Sequence, residues 1–351
     1  MMKVGSMLAS ISIALTGCAV VGPASVRNDR FDYTAAIGDS WKQQTLLNIV
    51  KLRYMDQPVF LDVASVVAGY SLQTGVSVGG VFPSGGGADV GSVGGQAIYT
   101  ERPTITYVPL TGEAFLRGLI TPIDPKNIFF MLQSGYAADF VLGLTVESLN
   151  GLRNRSSAGG IIREADPEFV RALGLLRDVQ AAGAFGMRVE EDKDKGRTAV
   201  VFFKRDDVSA ETAEKAAEAR RLLKLPADQT KFSLIYSPVK GLDNELAVNS
   251  RSMLQIMGAF ASYMDVPEAH VKDGSATPGL QGPEHGTGVR IHSGTDKPAD
   301  SFVAVRYRDH WYWIEQGDWQ TKRALAAVMF FFTLTDTGPA EQLPLITIPA
   351  Q

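Results

Sequence analysis

Hydrophobic and polar positions change their period several times along this chain. From about Asp39 to Tyr54, the residues Leu46, Ile49, Val50 and Arg53 recur at helical spacing. Lys42, Gln43, Asn48 and Lys51 are left for water, so the stretch predicts an amphipathic helix. Pro58 marks a change to extended structure. From Val59 to Val108 the period becomes two. Val66, Ala68, Tyr70, Leu72, Val76, Val78 and Phe82 fall on one face, and Gly69, Ser71, Gln73, Gly75, Ser77 and Gly79 on the other. Pro83-Ser84-Gly85-Gly86-Gly87 is a turn signal, and extended runs follow at Val90–Thr100 and Pro103–Val108. No charged residue lies between Asp62 and Asp89, or between Asp89 and Glu101. Exposed sheets normally carry charges that protect their edges, so this hairpin is the unusual part of the chain.

Helical spacing returns at Gly112–Ile120 and Pro125–Ser134, and Phe140–Leu149 reads as helix or strand. Residues 154–160 (NRSSAGG) have linker composition. Beyond them the pattern predicts a helix from Pro167 to about Ala182 and a hairpin of Gly186–Glu190 with Thr198–Lys204. A polar helix Ser209–Leu225 and a strand Lys231–Tyr236 follow, then a helix capped by Asn249 or Ser250 that runs to Tyr263. Residues 266–287 read as a loop. Strands are expected at Gly288–His292, Phe302–Arg308 and Trp311–Glu315, with Asp309-His310 in the turn between the last two. Leu325–Leu334 predicts a buried helix and Leu343–Ile348 a final strand. The predicted class is α+β: an N-terminal helix with a long Gly-rich β-hairpin, then mixed helices and antiparallel strands.

The first residues follow a different logic. Lys3 precedes an apolar run from Met7 to Leu15, the layout of a secretory signal peptide over residues 1–17. The run is too short for a permanent membrane helix, which needs about 20 apolar residues. It ends in Leu15-Thr16-Gly17-Cys18, which resembles the lipobox of bacterial lipoproteins. The resemblance implies cleavage before Cys18 and acylation of its sulfur and its new amine. Two or three acyl chains at about 0.8 kcal/mol per buried methylene hold a protein on a membrane durably. Ala19 stands where an Asp would favour inner-membrane retention, so the resemblance points to the outer membrane, periplasmic face. Residues 18–30 then read as a lipidated tether, followed by regions 31–153 and 161–351.

Composition narrows the function classes. A formal charge of -4 with 34 basic and 38 acidic residues lacks the basic face of a nucleic-acid binder. A single cysteine excludes an internal disulfide framework and a cysteine-based zinc cluster. Ten of the 35 glycines lie between Gly69 and Gly95, which concentrates the excess in the hairpin.

Several short strings imitate catalytic motifs. Gly75-Val76-Ser77-Val78-Gly79 matches G-x-S-x-G, but that serine must sit on a sharp strand-to-helix turn, and Ser77 sits within an extended run. Gly38-Asp39-Ser40 resembles the first block of the SGNH ("GDSL") hydrolases, without their late D-x-x-H pair. The simpler reading makes Asp39 or Ser40 a helix cap. Ser237-Pro238-Val239-Lys240 fits S-x-x-K but lies in a loop. His270, His285, His292 and His310 fall in one window with Asp265, Glu268 and Glu284, and could form a metal or acid–base site. Solvated loop histidines are the simpler alternative. Trp311, Trp313 and Trp319 with Tyr307 and Tyr312 make an aromatic concentration, either buried on the Leu325–Leu334 helix or presented to a ligand. Arg220, Arg221 and Lys224 make a small basic patch on a polar helix.

Leu47–Tyr54, Pro58–Val63, Leu144–Leu152, Val305–Arg308 and Trp311–Ile314 together resemble an uncharacterised family of Gram-negative lipoproteins. The resemblance spans nearly all the mature chain and transfers no catalytic residue. The sequence therefore predicts an outer-membrane-anchored structural or assembly component of the envelope, attached through lipid on Cys18. Envelope proteins or further copies of the chain are its expected partners; no nucleic acid and no cofactor are expected. The alternatives are an oligomeric pore or export component inserting the 66–100 hairpin, and a periplasmic hydrolase using residues 265–310.

Overall fold

The computed structural model describes residues 23–67, 70–81, 90–156, 163–192, 196–204, 207–280 and 289–335, whose elements are of the α+β class. Residues 1–22 with Cys18, the turn at 83–87, residues 157–162 of the linker region, His285 and the 343–348 strand lie outside the described residues.

The first helix, α1, spans Pro23–Arg53. It therefore begins inside the expected tether and 16 residues before the predicted start at Asp39. Residues 30–40 are exposed or half-exposed, so no apolar stripe betrays the helix there. Once the buried turns around Leu46 and Ile49 have nucleated it, each further residue adds a hydrogen bond at small cost. Asp39 and Ser40 consequently lie inside the helix and cap nothing. Asn48, expected in water, is 1% exposed. Its amide donates to Val59 O (2.7 Å) and accepts from Val59 N (2.9 Å), so it pairs with the following segment as a strand would.

The chain separates into two compact units. Among the described residues one comprises 23–41 and 61–110, the other 42–60 and 111–335. The first unit holds a nested ribbon. Strand β1 (Phe60–Val67) pairs with β4 (Thr104–Leu110), and within that loop β2 (Tyr70–Val81) pairs antiparallel with β3 (Val90–Glu101). The β2–β3 register runs through twelve pairs from Tyr70↔Glu101 to Val81↔Val90. It sets Ser71, Gln73, Gly75, Ser77 and Gly79 opposite Thr100, Ile98, Gln96, Gly94 and Ser92. Residues directly opposite share a face, so the weak alternation of the second arm is resolved by its partner. Among the described residues each of these two sheets has two strands.

The second unit is built on a six-stranded mixed sheet in the order β6-β5-β10-β9-β8-β7. Its strands are β5 (Val146–Leu149), β6 (Leu152–Arg153), β7 (Phe185–Asp192), β8 (Gly196–Phe203), β9 (Lys231–Tyr236) and β10 (Glu245–Ser250). All neighbours run antiparallel except β9 and β10. The sheet takes strands from both sides of residues 154–160, and Ser156 bridges to Arg163, so the expected boundary between 31–153 and 161–351 falls within one sheet.

Helices α2 (Gly112–Ile120), α3 (Pro125–Gln133), α4 (Ala138–Thr145), α5 (Pro167–Ala181) and α6 (Ala210–Leu222) accompany the sheet in sequence. The ambiguous 140–149 stretch is therefore both: the end of α4, then β5. Phe129, Phe185, Phe203 and Phe232 form a chain of ring contacts through the core, with centroids 5.1–6.3 Å apart. Arg220, expected on a solvated patch, is buried. It donates to Ala216 O and Gln229 O and lies over Phe203, while Arg221 and Lys224 are exposed.

Residues 249–250 end β10 and do not cap a helix. The cap is Ser252, which accepts from Gln255 N while Gln255 returns a bond to Ser252 N, opening α7 (Met253–Ala261). After the short α8 (Glu268–Lys272) comes a three-stranded sheet, β11-β13-β12. Its strands are β11 (His292–Gly294), β12 (Val303–Tyr307) and β13 (His310–Ile314). Helix α9 (Trp319–Thr335) closes the described chain, with Leu325, Val328 and Phe331 buried. Among the described residues no helix is long and apolar enough to cross a membrane.

Candidate functional site

Two segments distant in sequence, 47–56 and 305–312, meet in the second unit. The meeting depends on how α1 stops. Met55 takes a left-handed backbone (φ 59°), Met55 N bonds Leu52 O and Asp56 N bonds Lys51 O. That pattern is a Schellman ending with methionine where glycine is usual. Tyr54, immediately before the reversal, is 4% exposed. On the other side, β12 and β13 are joined by Arg308 and Asp309, both left-handed (φ 46° and 62°). This two-residue turn lets Tyr307 pair with His310, so His310 starts the strand and is not in the turn.

The side chains form one hydrogen-bonded chain. Tyr312 is 0% exposed, and its hydroxyl lies 2.5 Å from that of Tyr54. The Tyr54 hydroxyl lies 2.7 Å from His270 Nδ1, on α8. Each hydroxyl has one hydrogen, so the bonds run from Tyr312 through Tyr54 to His270 or in the reverse order. The rings of His270 and His310 meet edge-on, 4.8 Å between centroids. The Arg308 guanidinium lies over Tyr54 (4.9 Å) and Tyr307 (5.7 Å). Asp56 accepts from the Tyr307 hydroxyl and pairs with Arg308 at 3.9 Å. Arg53 anchors the adjoining loop through Thr277 O and Pro278 O, and burial lowers its pKa.

Burial raises the Tyr54 phenol above its ordinary value of 10. Burial, then the bond to Tyr54, raises Tyr312 as well. Both phenols therefore stay protonated at neutral pH. Their hydrogen bonds end at the half-buried His270, and neither is a phenolate nucleophile.

The three described histidines of that window thus separate. His270 and His310 touch. His292 stacks on Trp313 (5.6 Å) and sits 3.6 Å from both Asp265 and Glu315. His285 and Glu284 lie outside the described residues, and Glu268 pairs with Lys272. Among the described residues no group of three His, Cys, Asp or Glu is placed to hold a metal. Of the aromatic strand, Tyr312 and Ile314 face the core, while Trp311 and Trp313 are half-exposed. Trp319 is 63% exposed.

The imitation motifs resolve one by one. Ser77 is exposed on a flat strand and bonds Gly94 O. Ser40 is exposed on α1. Ser237 bonds Val239 within its own loop, and Lys240 pairs with Asp243.

The chain matches no protein-family model, no curated protein and no solved structure.

Arg53, Tyr54, Asp56 and Arg308 are the members of the cluster that sequence reasoning missed. Tyr54 carried a signal, since a phenol at the last turn of an amphipathic helix, followed by a reversal, is placed to bury. Nothing local marks Asp56.

Proposed function

We propose that this protein is a lipid-anchored component of the cell envelope, held at the periplasmic face of the outer membrane through Cys18, and that it works by assembly and not by catalysis. The observation that carries the reading is the ribbon's surface. Leu61, Val67, Ile98, Ile105, Tyr107 and Val108 are all exposed on two-stranded sheets. An isolated two-stranded ribbon is marginal in water, and exposed apolar side chains along it favour a covering surface. The partners proposed are envelope proteins or further copies of the chain.

The experiment has two parts. Cys18→Ser is expected to lose acyl labelling and appear in the soluble periplasmic fraction; a variant that stays membrane-bound defeats the anchor. Because Cys18 is the only cysteine and its sulfur is acylated on this reading, Ile98→Cys alone carries one reporter thiol on the ribbon of the anchored protein. That thiol is expected to be shielded from a polar maleimide in intact envelopes and reactive in purified protein. Equal reactivity in both defeats the assembly reading.

The twelve-pair register favours a second reading, an oligomeric pore or export component. Twelve residues at roughly 3.4 Å each span about 40 Å, enough to cross a bilayer when tilted. Both open edges would then have to pair with other copies, since lipid offers them no partner. Detergent-extracted protein that migrates only as a monomer, with its ribbon open to periplasmic protease, rejects this second reading.

A further inference from the structure

A cleft of about 680 Å³ opens in the second unit between α4, α5, α7 and the start of α9. Its size is that of a small-molecule site. Phe140, Phe169, Leu173 and Phe260 supply apolar wall, and four arginines but only two carboxylates line it.

Three of those arginines are engaged. Arg155 pairs with Glu164 and donates to Tyr263 Oη (3.1 Å), and Arg177 pairs with Asp139 and Asp178. Arg251, with its side chain 6% exposed, pairs with Glu147 at 3.0 Å and donates to the carbonyls of Leu144 and Arg155. Glu147 is itself shared with Arg163, which leaves the neighbourhood with more guanidinium than carboxylate.

Arg323 is different. Its guanidinium carbon lies 3.9 Å from the Phe140 ring centre and 4.5 Å from that of Trp319. Its Nε is buried without a hydrogen-bond partner, and among the described residues it makes no ion pair. Aromatic faces attract the cation but offer no acceptor in its plane. A positioned guanidinium with unfilled N–H donors matches the two oxygens of a carboxylate or phosphate. The start of α9 holds it there: Asp318 accepts from Thr321 N (2.9 Å), and Thr321 Oγ1 accepts from Arg290 N (2.9 Å).

We propose that this cleft binds an amphipathic anion, its carboxylate or phosphate head on Arg323 and its apolar body along Phe140, Phe169, Leu173 and Phe260. The site is independent of the membrane anchor and of the ribbon.

The test is calorimetric titration of the purified full chain, with dodecanoate below its micelle concentration as the probe and Trp319 fluorescence as a second readout. Saturable binding is expected, at least tenfold weaker in Arg323→Gln and partly retained in Arg323→Lys. Gly174 lines the cleft, and an added Cβ there meets nothing within 4 Å. Gly174→Leu should therefore fold and obstruct the apolar body, again weakening dodecanoate at least tenfold. Dodecanoate and dodecyl phosphate both support the proposal, and the tighter one identifies the head group. Three results overturn it: equal affinity in wild type and Arg323→Gln at matched thermal stability, dodecanol binding as tightly as dodecanoate, or inorganic phosphate alone matching dodecanoate.

Discussion

Replacing Tyr54 and Tyr312 by phenylalanine, singly and together, tests the order Tyr312 to Tyr54 to His270 for the hydrogen-bonded chain. Tyr312 is fully buried, and its hydroxyl has Tyr54 as its hydrogen-bond partner. Tyr54→Phe removes the acceptor of a buried donor and also the partner of His270 Nδ1. An unsatisfied buried group costs about 1–3 kcal/mol, so a loss of about 2 kcal/mol is expected. Tyr312→Phe removes the donor itself, and Tyr54 still donates to His270. That should cost about 1 kcal/mol, the net worth of one ordinary hydrogen bond. The double variant leaves no buried hydroxyl unpaired, and water reaches the half-buried His270. Its cost should therefore not exceed that of Tyr54→Phe alone, giving a coupling of about 1 kcal/mol. Urea unfolding followed by tryptophan fluorescence reads all three, since Trp311, Trp313 and Trp319 lie in the same unit. Costs that add within about 0.5 kcal/mol, or a larger loss in Tyr312→Phe than in Tyr54→Phe, would refute that order.

Three further predictions follow from other parts of the fold. Met55→Gly relieves a left-handed residue that is 91% exposed, and should stabilise the second unit by about 1 kcal/mol in the same urea assay. Glu147→Gln leaves Arg251 a buried, unpaired cation, and should cost about 3–5 kcal/mol, read as a lowered thermal midpoint. Acid should weaken the protein through three carboxylates held below their ordinary values of 3.8 and 4.5: Asp178 by Arg177 and Lys215, Glu190 by Lys231 and Arg188, and Glu218 by Arg171. A lowered folded pKa gives stability that is present above the unfolded value and lost as pH falls through the folded one. Urea midpoints should thus hold steady above about pH 5 and fall below about pH 4, and Asp178→Asn with Glu218→Gln should flatten that fall.

Elements with a strong internal period were legible in the sequence. Gly112–Ile120 forms the predicted helix, and the 185–203 hairpin and the Lys231–Tyr236 strand also appear where their alternation puts them. What could not be read was decided by partners distant in sequence. Residues 23–38 carry no stripe and are helical because they continue a helix nucleated further on. Asn48, Asn150 and Asn154 look like surface polar residues, yet each is buried and hydrogen-bonds backbone groups of other segments. The linker composition of 154–160 says that the local chain lacks a core, but β5 and β10 pair across it. The site was half legible. A window of histidines pointed to the right neighbourhood, but which of them touch depends on Tyr54, more than two hundred residues away from His270. Arg323 gave no sign at all, because its significance lies in the acceptors it lacks.

The turn at Arg308 and Asp309 bears on how this protein would change under selection for heat resistance. Two non-glycine residues in the left-handed region cost about 1 kcal/mol or more each, and Asn-Gly is the pair that such a turn accepts most readily. A laboratory lineage pressed only for thermal endurance should find Asn-Gly there early. It would then discard the cation that roofs Tyr54 and pairs with Asp56. A lineage that must also keep working in the envelope has a reason to retain Arg308. Growing the two lineages side by side turns one hairpin into a recorder of whether the tyrosine–histidine cluster serves the cell or merely the fold.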